Sequence, residues 1–270
     1  MLAQQRQQAI LERVRRNGAA RVADLVRELG VSDMTIRRDL EVLAERGLIE
    51  KVHGGATATG SGSTEEPGFA AKSVRQQAEK EAIARRAAEL VRPGTAVALS
   101  AGTTIWTLAH HLVDVPELTV ITNSLQVADV FHRAGRPDQT VVLTGGVRTP
   151  SDALVGPVAV AAIRELNVDT LMLGVHGMNV RAGFTTPNLL EAETNRALVA
   201  AAQQLVVLAD HTKWGTVGIS TIAKLDEAHV LISDTGLPEE ARPLLADQVG
   251  TLVLAEPGET AQVAAQVAAQ

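Results

Sequence analysis

Two groups of residues in this 270-residue chain have the types and spacing to do chemistry. The first is the run Val31-Ser-Asp-Met-Thr-Ile-Arg-Arg-Asp-Leu40. Its threonine and two arginines carry a hydroxyl and two guanidinium groups, which hydrogen-bond base edges and phosphate oxygens. The second is a set of small polar segments: Ser100-Ala-Gly-Thr-Thr104, Thr122-Asn-Ser124, Thr144-Gly-Gly146, Gly174-Val-His-Gly177 and Asp210-His-Thr-Lys213. Glycine lets backbone N–H groups approach an anion, hydroxyls hydrogen-bond it, and a lysine adds a point charge. One group suits a nucleic acid, the other a small phosphorylated molecule.

Helical elements must position the first group. Ser32 is a good N-cap, and Asp33 puts negative charge in the first turn, where the helix dipole favours it. Ile36, Leu40 and Leu43 form one apolar stripe. Met34, Arg37, Arg38 and Glu41 then face the other way, with Thr35 at the edge. Upstream, Val22, Leu25, Val26 and Leu29 make a second helical face that ends at Gly30, a residue tolerant of the positive φ of a helix C-terminus. Two short helices joined by Gly30-Val31-Ser32 are a helix-turn-helix. An earlier helix is expected over roughly Ala3 to Arg15, with Ile10, Leu11 and Val14 inward. Gly47 stops the third helix, and Leu48-Ile-Glu-Lys-Val-His-Gly-Gly-Ala56 reads as a strand and turn, the wing. The expected duplex-contacting residues are Ser32, Met34, Thr35, Arg37 and Arg38 on the recognition helix, with Lys51 and His53 on the wing.

Residues from about Gln5 to Ala56 resemble the winged helix-turn-helix of the DeoR family, the deoxyribose-operon-repressor type. The matching pieces are Arg6-Gln-Gln-Ala-Ile10, Val22-Ala-Asp-Leu25, Val31-Ser32, Thr35-Ile-Arg-Arg-Asp-Leu40, Leu43, Gly47 and His53-Gly-Gly-Ala56. The resemblance implies a bacterial transcription factor, usually a repressor of sugar catabolism genes. Val52 departs from the pattern, since basic residues are frequent just before the family's His-Gly-Gly.

Charge is unevenly spread. Residues 1–56 hold ten Lys and Arg against eight Asp and Glu, whereas the whole chain has a net charge of −6. An acidic protein does not coat nucleic acid indiscriminately, so duplex binding must come from the locally basic module. The small positive excess there points to a homo-dimer or tetramer. Cysteine is absent, which excludes disulfides, thiolate zinc sites and a cysteine nucleophile. No apolar run approaches the ~20 residues of a membrane span, and the N-terminus lacks a signal peptide's apolar core, so a cytoplasmic protein is expected. Thr57-Ala-Thr-Gly-Ser-Gly-Ser-Thr-Glu-Glu-Pro-Gly68 has no apolar periodicity and reads as a linker. The expected division is a winged helix-turn-helix domain over 1–57, a flexible linker over 58–70, an α/β domain over 71–258 and a tail over 259–270. An alanine-rich helix is expected from about Ala70 to Val91, with Val74, Ala78, Ile83, Ala87 and Leu90 on its less polar side.

Seven short aliphatic runs then recur: Ala96–Leu99, Leu118–Ile121, Thr140–Leu143, Thr170–Leu173, Leu205–Leu208, His229–Ile232 and Thr251–Leu254. Helical segments separate most of them, at Ile105–Val113, Leu125–Ala134, Val158–Leu166, Leu189–Gln203 and Glu239–Asp247. Near-continuous apolar strands joined by helices mean a mainly parallel sheet covered on both faces. In such sheets ligands bind beyond the carboxyl ends of the strands, where the polar segments fall. The expected ligand is a phosphorylated sugar or polyol. Ser100, Gly102, Thr103 and Thr104 meet its phosphate, Thr122, Asn123 and Ser124 its hydroxyls, and Gly145, Gly146, Gly177, Asp210 and Lys213 complete the site.

The resemblance to the DeoR family extends here. Ser100-Ala-Gly-Thr-Thr104, Thr122-Asn-Ser124, Thr144-Gly-Gly146, Gly183-Phe-Thr185, Glu191-Ala192 and Asp210-His-Thr-Lys-Trp-Gly215 look like its sensor domain, similar in fold to ribose-5-phosphate isomerase and CoA transferases. It implies that a phosphosugar binds at these loops, Glu191 included, and weakens DNA binding. Ala101 inside the first loop and His211-Thr-Lys-Trp in place of the frequent Ser-Ser-Lys-Phe depart from the commonest form; Lys213 is retained.

No metal or cofactor is expected. His110 and His111 are adjacent on a helix and point ~100° apart, so they do not share a metal. His176 and His211 sit on loops within reach of a ligand. Glu191 and Glu193 face differently and are no carboxylate pair. Trp214 lies beside Lys213, either lining the site or packing in the core. Three functions compete: a phosphosugar-responsive repressor, a sugar-phosphate isomerase fused to a DNA-binding module, and a constitutive architectural protein. Isomerisation needs a carboxylate base at the substrate, for which Asp210 and Glu191 are the candidates, with no second acid in sight.

Overall fold

The computed structural model describes residues 3–17, 19–45, 48–52, 55–58 and 68–258. Gly47, His53, most of the expected linker and the tail lie outside the described residues. Contacts divide the chain into two units, Met1–Glu65 and Glu66–Gln270.

The first unit runs α1 (Ala3–Asn17), β1 (Ala19–Arg21), α2 (Val22–Leu29), α3 (Asp33–Glu45), β2 (Ile49–Val52) and β3 (Gly55–Ala58). Ile10, Leu11 and Val14 from α1 meet Val22 and Leu25 from α2, and Ile36, Leu40 and Leu43 from α3, in one core. The apolar periodicity of each helix thus converges on a shared centre. Gly30 takes φ +65° and its N–H donates to Val26 O at 3.0 Å, closing α2. Ser32 starts α3: its Oγ accepts from the Thr35 N–H at 3.3 Å. β3 pairs antiparallel with β2 and also with β1, giving the order β1-β3-β2. β1 is only three residues long, too short to show an alternating pattern, and was not expected.

The second unit opens with α4 (Phe69–Ser73) and α5 (Gln77–Ala88). One helix was expected here; the structure has two, because the chain breaks at Gln76, which takes φ +50°. The buried face also differs, consisting of Lys80, Ala82, Ile83, Ala84 and Ala87, with Val74 69% exposed. There follow β4 (Ala96–Leu99), α6 (Thr103–Leu112), β5 (Thr119–Thr122), α7 (Leu125–Ala134), β6 (Thr140–Leu143), β7 (Val147–Arg148), β8 (Leu154–Val155), α8 (Pro157–Arg164) and β9 (Val168–Gly174). The chain continues through β10 (Gly177–Asn179), β11 (Gly183–Thr186), α9 (Leu189–Ala201), β12 (Ala202–Leu208), β13 (Ser220–Ala223), β14 (Val230–Asp234), α10 (Ala241–Ala246) and β15 (Leu252–Ala255).

All seven aliphatic runs join a single sheet in the order β15-β14-β12-β9-β4-β5-β6, and every pairing in it is parallel. One face packs with α5, α6 and α7 through residues such as Ile83, Leu108 and Phe131. The other packs with α8, α9 and α10 through Ile163, Leu198 and Leu245. Alternation along β4 serves both faces, Val97 and Leu99 to the first and Ala98 to the second. A second sheet, antiparallel with the order β10-β11-β13, buries Met178 and Phe184. Among the described residues no helix is long and apolar enough to cross a membrane.

Candidate functional site

The recognition helix α3 presents two different surfaces. Its inner side carries Ile36, Leu40 and Leu43, all at most 2% exposed, and also Asp39. The Asp39 carboxylate accepts from Arg6 Nε and from Gln7 Nε2, the latter at 3.0 Å, so a buried charge is matched by two donors from α1. On the outer side Met34 is 80% exposed, and Ser32, Arg37 and Arg38 are exposed as well. Thr35 is half-buried, its Oγ1 lying 2.9 Å from Ser32 Oγ. Arg37 pairs with Asp33 one turn earlier, which raises the guanidinium pKa. Arg38 forms no ion pair with any described residue. Lys51 falls in β2, in register with Ala56 of β3. The helix therefore offers a hydroxyl, a thioether and two guanidinium groups on one outward face, over a base fixed by packing and by Asp39.

In the second unit the polar segments gather at the carboxyl end of the parallel sheet. β4 is the strand at which the order reverses, with β5 on one side and β9 on the other. Such switch points open a crevice between the loops that follow. Gly102 lies there as the N-cap of α6, at φ +139°, with no side chain capping the helix and open space where a Cβ would stand. The first-turn N–H groups of α6, with Thr103 and Thr104 beside them, thus face a place that a larger residue would fill.

Several of the expected ligand contacts also build this loop cluster. Ser100 Oγ accepts the Gly174 N–H at 3.0 Å, tying β4 to β9. Thr122 Oγ1 donates to Leu99 O at 2.7 Å. Asn123 uses Oδ1 to accept from Ala101 N–H at 2.9 Å and Nδ2 to donate to Leu154 O at 3.2 Å. Ser124 caps α7 by accepting from Val127 N–H. These four are 0–1% exposed, so their side chains hold the loop in shape. Gly145 and Gly146 follow β6; at Gly146 a Cβ would come within 2.5 Å of Val155 O, so only glycine fits. Gly177 is set further off in β10, paired with Thr185. Glu191, near the start of α9, accepts from Thr149 Oγ1 and Thr186 Oγ1, each at 3.1 Å.

The segment after β12 supplies charge. Asp210 is 1% exposed, and it accepts from the Thr212 N–H at 3.0 Å and from Thr212 Oγ1. Lys213 Nζ lies 4.0 Å from Asp210 and is partly exposed, so it is available to an anion. His211 Nδ1 meets Asp234 Oδ2 at 2.7 Å, and Asp234 also accepts from the backbone N–H groups of His211 and Gly236. The Asp234 hydrogen bond raises the His211 pKa, against the opposing effect of burial. The Asp234 carboxyl is held below its usual value by those same donors, although its burial acts the other way.

The sequence reading missed a lysine. Lys80 on α5 is 5% exposed, its pKa lowered to about 8 by burial, with Lys213, Lys72 and Arg75 acting in the same sense and Asp210 opposing them. It donates to Lys72 O and Arg75 O, both at 2.6 Å. A lysine on the apolar side of the expected helix was the available signal. His110 and His111 turn to different partners, Trp106 O and Glu81, and no metal-binding group occurs among the described residues. The half-buried Trp214 packs against the larger core.

These two surfaces match known domains. Residues 6–61 match the DeoR-like helix-turn-helix domain, and residues 75–235 match the DeoR C terminal sensor domain. The chain belongs to the DeoR family. This DeoR-family chain is 35% identical to the uncharacterized HTH-type transcriptional regulator YgbI of Escherichia coli (strain K12), over 95% of its own length and 99% of that protein. It is 31% identical to the glycerol-3-phosphate regulon repressor of the same strain, over 90% and 95% of the two chains. Ribose 5-phosphate isomerase a of Methanocaldococcus jannaschii is a distant structural likeness, at 16% identity and TM-score 0.37 over 50% of this chain and 53% of that one. A DeoR-family regulator with a helix-turn-helix and an α/β sensor domain is thus what the chain is.

Proposed function

We propose that this regulator is a repressor of carbohydrate genes whose hold on its operator is relieved by a phosphorylated sugar or polyol. The observation that carries the reading is the uncapped α6 N-terminus at Gly102, set at the switch point of a DeoR sensor domain that also holds Lys213. An N-terminus with open approach attracts a phosphate through its N–H groups and dipole, and Thr103, Thr104 and Lys213 suit the same anion. The glycerol-3-phosphate regulon repressor among its relatives fits that ligand class.

The winged unit reads sequence through Thr35 and Arg38, with Ser32, Met34, Arg37, Lys51 and His53 on the backbone or groove walls. A homo-oligomer brings two such units to a pair of operator half-sites in the cytoplasm. The effector acts by favouring a state in which that pairing is wrong, which requires different affinities for the two states. Isomerase chemistry fits less well. Glu191 accepts from two threonines and the buried Asp210 from Thr212, so both candidate bases are engaged in bracing their own loops. A mobility-shift assay across a panel of sugar phosphates tests the proposal. Release of the duplex by at least one of them is expected; a complex unmoved by all of them sinks it.

A further inference from the structure

The seven-stranded sheet ends differently at its two edges. At one edge β15 is half-buried, with Leu252 and Leu254 packed on one core and Val253 on the other. At the other edge every residue of β6 is exposed, although the strand reads Thr140-Val-Val-Leu143. Among the described residues β6 pairs with β5 alone. On that side the Thr140 N–H donates to Leu118 O at 2.9 Å and the Thr144 N–H to Thr122 O at 3.1 Å. Alternate residues of a parallel strand bond to the same neighbour, so Val141 and Leu143 turn their N–H and C=O groups outward, to the free edge.

A charge, a proline or a bulge ordinarily blunts such an edge, and β6 carries none of them. Val141 shares the face of its register partner Val120, and Val142 that of Ile121, so the edge is apolar on both faces. Val147 and Val158, 65% and 66% exposed, extend the patch; Val158 Cγ1 lies 3.6 Å from where a Gly145 Cβ would stand. Roughly 400 Å² of aliphatic surface is left to water there, about half of the ~800 Å² that each partner gives to a standard interface. The flanking charges are already matched, Arg136 with Asp138 and Arg148 with Asp152. In a chain of net charge −6 this edge is neutral, so a second copy meets no repulsion at it.

We propose that β6 is the surface through which two copies of this chain pair, edge to edge, about a two-fold axis at Val142. Strands related by such an axis run antiparallel. Val141 of each copy then exchanges both backbone bonds with Leu143 of the other, and all the outward groups of the two strands are satisfied by four hydrogen bonds. Val142 faces its own copy across the axis, and the adjoining helices α7 and α8 meet their copies on either face of the joined sheet. The pairing rests on the homo-oligomer that the repressor reading requires, and it names the surface that forms it.

The test uses the full chain, followed by sedimentation velocity. Val142→Lys and Val142→Glu each set like charges against one another at the axis, and each should halve the mass of the assembly. Mixing the two variants in equal amounts should restore it. The chain has no cysteine, so Val142→Cys gives a single thiol. Across a non-hydrogen-bonded antiparallel pair the two Cα atoms are about 4.5 Å apart, within the range a disulfide spans. This variant should therefore crosslink to a dimer under mild oxidation, whereas Leu244→Cys, on the exposed side of α10, should not. An oligomer unchanged by both charged variants, with crosslinking no greater at 142 than at 244, shows that β6 is not the interface and leaves the repressor reading standing. A monomeric unaltered chain overturns both the pairing and the paired half-sites. Cysteine is close to valine in size, so the crosslinking result stands even if a charged variant misfolds.

Discussion

Asp39 sits on the recognition helix yet turns inward, where Gln7 of α1 donates to its carboxylate at 3.0 Å alongside Arg6. The contact joins residues 32 positions apart and sets the rotation of α3 about its own axis. Outward display of Arg37 and Arg38 follows from it, since a helix that turns Asp39 and Leu40 inward must turn those two residues out.

Replacing Asp39 with Ala removes the acceptor and leaves the largely buried Arg6 without its carboxylate. The expected loss is roughly 1–3 kcal/mol from the winged unit. Urea denaturation followed by circular dichroism checks it, as an earlier transition with the sensor domain's own transition unchanged. Equal stability of variant and parent would show that the contact contributes nothing.

Arg38 and Arg37 should fail differently on DNA. Arg38→Ala should abolish discrimination between operator and random duplex. Arg37→Ala should weaken both alike and lower the salt dependence of log K by about one phosphate's share, a slope change of ~0.9. Titrations at several salt concentrations separate the two, and a loss of discrimination at Arg37 with none at Arg38 would reverse the assignment.

The His211–Asp234 pair gives a pH signature. The folded His211 pKa is raised, so its contribution to stability is complete below the unfolded value of ~6.5 and fades as pH climbs through the folded value. Asp234 is lowered, so its share is present above ~3.9 and is lost as pH falls through its folded value. Thermal melts of His211→Asn against pH should lack the decline on the alkaline side. An unchanged profile would show that the pair is electrostatically idle.

Lys80 has the opposite sign. Its folded pKa of about 8 lies below its ordinary value of 10.5, so the unfolded chain binds more protons between those two values. Stability owed to this group therefore rises with pH across that interval. Lys80→Met should remove the rise, measured by urea midpoints from pH 7 to pH 10.

The seven sheet strands were legible because both faces are covered, so each is an unbroken aliphatic run such as Ala96-Val-Ala-Leu99. The antiparallel sheet was not. Gly177-Met-Asn179 and Gly183-Phe-Thr-Thr186 contain turn-forming residues, and their strand character comes from pairing with each other and with β13. The break between α4 and α5 contains neither Gly nor Pro; Lys80 captures there the carbonyls of Lys72, in α4, and of Arg75, which follows it, and no local pattern announces those contacts. At the sensor loops, glycines and hydroxyls after a strand could be read directly. That Ser100, Thr122 and Asn123 also brace the loops, and that Lys72 reaches Ser151, depends on partners 22–79 positions away.

The most direct test of the account is fluorescence anisotropy of the full chain on a duplex enriched from a random-sequence library, titrated with sugar phosphates. The account predicts selection of a defined sequence and a loss of affinity of about 5- to 150-fold with at least one sugar phosphate. Lys213→Met should bind the duplex as tightly but no longer respond. Enrichment of no sequence, or a complex of unchanged affinity in every sugar phosphate, would contradict it.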